Sequence, residues 1–191
     1  MLMSFPCLTI LTLLIGFLMS GSAWAHQVPN MTIEADFDSA GGFVLKVNMD
    51  PRVILSAQPT ALPPVAASWY LDQTPEQLKI TLEKAAAYLD KNLKFQFGAA
   101  TLPLPPPTWQ AMDGTTNLEV KTDTTEVHLL ATLKGTVPAE QKVFVLGFGA
   151  EASVSLILLL KTHAMPEAKV QVLFPGETSR AFELTIKKSV D

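Results

Sequence analysis

The sequence predicts a mainly β fold, an antiparallel β-sandwich of Ig-like or Greek-key type with one inserted α-helix. Three observations carry that expectation. Short runs of alternating apolar and polar residues recur along the chain, at a spacing of about ten residues after Asn117, with turn residues between them. Only one stretch, Pro75 to about Asn92, combines helical periodicity with start signals. The single cysteine, Cys7, lies in an apolar leader, so the remainder must fold by burial alone, and a chain of 191 residues is long enough to do so.

The leader comes first. Phe5 to Met19 is a nearly unbroken apolar run, followed by small and polar residues and then Ala23-Trp24-Ala25. This is the apolar region and small-x-small cleavage site of a secretory signal peptide, although "MLMS" before it lacks the usual Lys or Arg. The run is short for a membrane span and no basic cluster follows it. The expectation is export to the periplasm or beyond, with residues 1–25 removed and a single domain over 26–191. "SLILLL" at Ser155–Leu160 is too short to cross a bilayer, so no span is expected in the mature chain. The balance of 14 basic against 18 acidic residues leaves a net charge of −4 with no basic patch, which argues against a nucleic-acid partner.

The elements follow in order. "MTIEADF" and "FVLKVNM" alternate in polarity around "DSAGG" and predict a hairpin, with Ile33, Ala35 and Phe37 sharing an apolar face with Phe43, Leu45, Val47 and Met49. A Pro- and Ala-rich connector leads to the helix. Thr74 is its N-cap, Pro75 suits the first helical position, and Gln77 completes a capping box. Leu78, Leu82, Ala85, Ala86, Leu89 and Leu93 form its apolar stripe. "KFQFG" reads as a strand leaving the helix, whereas "TLPLPPPTW" is too proline-rich for a central strand. From Asn117 the expected strands are "NLEVKT", "EVHLLATLK", "KVFVLGF", "ASVSLILLLKT", "AKVQVLF" and "AFELTIK". Leu156–Leu160 is apolar on both faces and belongs at the centre of a sheet or beneath the helix. Asp36, Asp38 and Asp50 are expected to flank turns. "PGET" fits a turn with Pro second and Gly third.

The candidate chemistry centres on the three histidines, His26, His128 and His163. A cut after Ala25 would make His26 the first residue, offering a free α-amine and a ring nitrogen together. The amine has an ordinary pKa of about 7.7–8.0, so a metal displaces its proton near neutrality. A second imidazole would complete a three-nitrogen site, a histidine brace, suited to copper or nickel as Cu(II) or Ni(II). His128 is the expected partner, because Val127, Leu129, Ala131 and Leu133 make the apolar face of its strand and His128 points the other way. His163 is the alternative imidazole. Glu126 and Asp123 could supply a carboxylate. Against this, scattered histidines on solvated strand faces are commonplace. There is no Gly-x-Ser-x-Gly, phosphate loop or His-Glu-x-x-His, so no catalytic residue is assigned. Trp69, Tyr70 and Trp109 fall in Pro-rich segments, where capping the core competes with a binding surface.

The mature start "AHQVPNMTIEADF", the inserted helix "TPEQLKITLEKAAAYLDKNLKFQFGAATLPL" and the closing "VQVLFPGETSRAFEL" resemble the extracytoplasmic N-terminal domain of HupE/UreJ-type membrane proteins. That family is associated with nickel transport and with hydrogenase and urease maturation. The resemblance implies a periplasmic sandwich that senses, delivers or docks, with a membrane or envelope protein as partner. It does not imply transport, which resides in a membrane region this sequence lacks. The leading functional expectation is therefore an exported non-catalytic binding domain handling Cu(II) or Ni(II). A metal-free interaction module is the alternative, and a copper-dependent monooxygenase the lesser one.

Overall fold

A computed structural model describes residues 28–186; the leader, the expected cut and His26 lie outside the described residues. The first hairpin pairs β1 (Asn30–Phe37) with β2 (Gly42–Met49), closing on Phe37 opposite Phe43. Asp38 caps its turn: Oδ1 accepts from Ala40 N and Gly42 N at 2.8 Å each, and Gly41 takes φ +91. Every apolar residue predicted for the inner face is buried.

The connector is not structureless. It holds α1 (Arg52–Leu55), a 3₁₀ turn at Pro59–Ala61 and α2 (Ala67–Leu71) before the main helix α3 (Pro75–Asn92). The expectation of one helix is thus corrected. Pro51, Pro59, Pro63 and Pro64 cut the connector into pieces too short to show a period. In α3 the capping box forms as predicted. Gln77 N donates to Thr74 Oγ1 at 3.3 Å, and Thr74 N donates to Gln77 Oε1 at 2.8 Å. Ala85, Leu89 and the following Leu93 are buried against the core, and the helix runs directly into β3 (Leu93–Phe97).

The remaining strands are β4 (Ala100–Leu102), β5 (Thr108–Asp113), β6 (Val127–Thr136), β7 (Val143–Phe148), β8 (Ser155–Thr162), β9 (Met165–Leu173) and β10 (Phe182–Glu183). They form a six-stranded sheet, β5-β6-β2-β1-β8-β9, and a four-stranded sheet, β10-β7-β3-β4. The four prolines between Leu102 and Thr108 join two edge strands of different sheets, where missing donors cost nothing. Two expectations need correcting. "NLEVKT" is not a strand, and only an isolated bridge ties Glu119 to Met112. Asn117 at φ +57 and the Asp113 turn before it break the extended path. Nor is the pairing wholly antiparallel, since β1 and β8 run parallel from Asn30↔Ser155 to Phe37↔Thr162. Because β7 lies in the other sheet, the chain crosses back to enter β8 in the same direction as β1. β8 is an interior strand, as its apolar run implied, with Leu156, Leu158 and Leu160 buried. The Phe174–Glu177 turn closes with Glu177 N donating to Phe174 O at 3.0 Å and Gly176 at φ +88, the geometry that Pro-Gly at its centre predicts.

The layers are joined through Phe37. Its ring lies 6.2 Å from Phe43 in its own sheet, and 5.1, 6.1 and 6.4 Å from Phe144, Phe182 and Phe97 of the facing sheet. Opposite this core, the outer face of the six-stranded sheet carries Thr32, Glu34, Lys46, Asn48 and Leu130. Among the described residues no helix is long and apolar enough to cross a membrane.

Removing the cap hydroxyl should be felt locally. Thr74→Ala is expected to lower stability by about 1 kcal/mol in urea denaturation. A change below a few tenths would show that the capping box adds nothing to the fold.

Candidate functional site: the His128 corner

Strand register assembles this corner. Met49 lies opposite Leu129, so the next residue, Asp50, falls beside His128; on the other side of His128 stands Met112. All three are turned away from the sandwich core. His128 therefore faces outward as the alternation predicts, yet it is only 8 % exposed, contrary to a solvated position. The loop after β5 covers it. Gly114 approaches so closely that a Cβ there would lie 2.6 Å from the imidazole Cδ2, and Gly114 N donates to Glu126 O at 2.8 Å. Only glycine allows that approach without displacing the ring.

Behind His128 lies a buried ionic network. Arg52, 1 % exposed, donates through Nε to Asp50 Oδ2 at 2.7 Å, with Nη2 at 2.5 Å from the same oxygen. Its backbone N–H reaches Asp50 Oδ1 at 2.9 Å, and its Nη1 reaches Leu62 O at 3.1 Å. Nη2 also stands 3.9 Å from Glu126 Oε1. That oxygen in turn lies 3.3 Å from His128 Nε2. The network ties the connector to the end of the sheet and turns one imidazole nitrogen toward a carboxylate.

The other imidazole nitrogen faces Asn48, which separates it from a groove. His128 Nδ1 lies 2.7 Å from Asn48 Oδ1. Asn48 Nδ2 points toward Met112 Sδ at 3.5 Å and Asn117 Oδ1 at 3.4 Å. Asn48, Met112 and Asn117 line an open groove of about 410 Å³ on the outer face, together with Thr32, Glu34, Lys46 and Leu130. Asn117 is presented by the turn that Asp113 organises. Thr116 N and Thr115 N donate to Asp113 Oδ1 at 2.8 and 2.9 Å. The Thr116 backbone bond, with help from Thr115 and from the Thr116 and Thr124 hydroxyls, holds the Asp113 carboxyl below the ordinary aspartate range.

The predicted site residues separate clearly. His128 and Glu126 come together. Asp123 is exposed and is not one of the grouped ligands. His163 sits in the exposed turn after Thr162, whose partner is Phe37, at the opposite end of β1 from Asn30. At about 3.3 Å per residue this places it roughly 20 Å from the His128 end of the sheet. His26 lies outside the described residues. Asp50 flanks a turn as expected, with Val53 N donating to its carbonyl at 3.2 Å, and its carboxylate also anchors Arg52. Asn48, Arg52, Met112 and Gly114 were not singled out by the sequence, and Asp50 was read only as a turn residue. The signal available was that Asn48 and Asp50 continue the polar face of β2; what they meet depends on register.

Asp50, Glu126 and His128 have ligand atoms within 4.8 Å of one another, a spacing compatible with a metal ion. The guanidinium already fills the space between the carboxylates, however. A cation about 4 Å from it would be repelled by about 4 kcal/mol per unit charge at an effective dielectric constant of 20. An ion on the Asn48 side of His128, at Nδ1, would lie farther from the guanidinium, and the repulsion falls with distance. No protein-family model matches the chain, and no curated protein matches it.

Two outcomes test this geometry. Asp50→Ala removes the main countercharge of a buried guanidinium and should cost about 3–5 kcal/mol in urea denaturation; a loss under 1 kcal/mol would mean the pair does not anchor the connector. Because the folded Asp113 pKa is lowered, its contribution is present above the unfolded value and is lost as pH falls through the folded one. The Thr115 and Thr116 amide resonances should therefore titrate with a midpoint below the value for an aspartate in an unfolded peptide. A midpoint at or above that value would contradict the turn.

Proposed function

We propose that the chain is a non-catalytic binding domain of an exported protein and that it handles Cu(II) or Ni(II) at the His128 corner. The observation that carries this reading is the orientation of one imidazole. Its Nε2 is directed at Glu126, itself backed by Arg52 and Asp50, while its Nδ1 meets Asn48, a residue that lines the groove. A carboxylate on the far nitrogen is the usual support of a metal-ligating histidine, because it fixes the ring and raises its basicity. Here the ion binds at Nδ1, on the side away from the guanidinium, and Glu126 is an orienting partner.

The second part of the reading is the histidine brace. Register places Asn30 level with Asp50 and His128, two strands away, or about 10 Å. Four residues of extended chain reach up to about 13–14 Å. A mature chain beginning at His26 is thus long enough for its amine and ring to meet His128 across the groove. The resemblance to the extracytoplasmic domain of HupE/UreJ-type proteins, with their nickel association, points the same way and makes an envelope or membrane protein the recipient of the ion. A metal-free interaction module is the second reading. It is favoured by Val170, Val172 and Phe174, which are exposed beside Ile157 and Leu159 at the β9 edge.

Calorimetric titration of the protein cleaved after Ala25 tests the first reading. One ion per chain is expected, with Cu(II) tighter than Ni(II). Glu126→Gln should weaken binding by about 10–100-fold and His128→Ala by at least as much. One residue added before His26 should also weaken it. Affinity unchanged in His128→Ala would sink the site, and affinity unchanged by the added residue would sink the N-terminal brace alone.

A further inference from the structure

Met112 is out of place for a structural methionine. Among the described residues it is the one buried apolar side chain that joins neither hydrophobic cluster, whereas Met31 and Met49 lie in the main core. It stands on the outer face of an edge strand, directly opposite His128, and its thioether meets polar groups. The Asn48 amide sits between the two, with its oxygen on His128 Nδ1 at 2.7 Å and its nitrogen on Met112 Sδ at 3.5 Å. One small, half-buried side chain at the floor of an open groove therefore bridges an imidazole nitrogen and a thioether sulfur.

We propose that this floor is a Cu(I) site, with His128 Nδ1 and Met112 Sδ as its donors and the Asn48 amide as the group that swings into the groove to admit the ion. The inference rests on the reading that the His128 corner binds metal, and it names which ion this part of the corner selects. A thioether is a soft ligand that discriminates in favour of Cu(I), and imidazole suits copper in either oxidation state. Ni(II) and Cu(II) gain little from the sulfur, so they depend on the nitrogen donors of the brace. A single positive charge also suits the place, since Arg52 lies behind His128 and repulsion scales with the ion's charge. Glu126 fixes the ring for this ion as it does for the divalent ones, and Asn117 closes the floor beside Asn48.

The test is competition between the cleaved protein and bicinchoninate for Cu(I) kept reduced by ascorbate, run beside Cu(II) and Ni(II) titrations. Met112→Leu conserves volume and should lower Cu(I) affinity about tenfold or more, with the divalent affinities within about twofold of wild type. X-ray absorption of the wild-type Cu(I) complex should show one sulfur at about 2.3 Å, a readout that stands even if Met112→Leu fails to fold. Cu(I) affinity unchanged in Met112→Leu, or a Cu(I) spectrum without sulfur, overturns this site while leaving the divalent one intact. Absence of binding by Cu(I), Cu(II) and Ni(II) alike overturns both.

Discussion

The contact on which this corner of the molecule depends is the pairing of Arg52 with Asp50. A guanidinium 1 % exposed is tolerable only because two of its nitrogens meet one carboxylate oxygen, at 2.5 and 2.7 Å, and a third meets a backbone carbonyl. That arrangement fixes the chain as it leaves β2 and sets the start of the Pro-rich connector against the sheet end. It also places a positive charge next to Glu126. Through Glu126 it reaches His128, so the orientation of one imidazole follows from an ion pair just past the hairpin.

The same pairing decides between two uses of one cluster. Three ligand-type side chains within 4.8 Å invite a reading as a closed metal site. The guanidinium among them makes that unfavourable and gives the carboxylates a different task, that of holding the ring. The opposite ring nitrogen meets Asn48, which separates it from the groove. The loop from Asp113 to Asn117 completes the arrangement, because Gly114 covers the ring and Asn117 lines the groove. A buried network thus stands behind the imidazole, and an open polar groove lies in front of Asn48.

Much of the scaffold was legible in the sequence for local reasons. The hairpin follows from strict alternation around Asp38–Gly42. The start of α3 follows from Thr74, Pro75 and Gln77, all within one turn of each other. The Pro175-Gly176 turn follows from the backbone angles those two residues favour. The failures were equally physical. "NLEVKT" alternates like a strand, but Asn117 adopts a positive φ after the turn that the Asp113 carboxyl organises. The short helices of the connector fall below the length at which a period can be seen. The parallel β1–β8 pair joins segments more than a hundred residues apart, and alternation is the same for either strand direction.

By itself, the sequence determined that this is a mainly β domain with one main helix, which side chains of the first hairpin and of the His128 strand face its core, and that His128 points away from that core. Each of these depends on the spacing of residues along a few turns of chain. The tertiary structure alone decided that His128 meets Asn48, Glu126 and Met112, that Asp123 and His163 do not join it, and that Asp50 and Arg52 stand behind it. Those contacts depend on register. A one-residue slip between β2 and β6 would send the same side chains to opposite faces without altering the pattern of either strand.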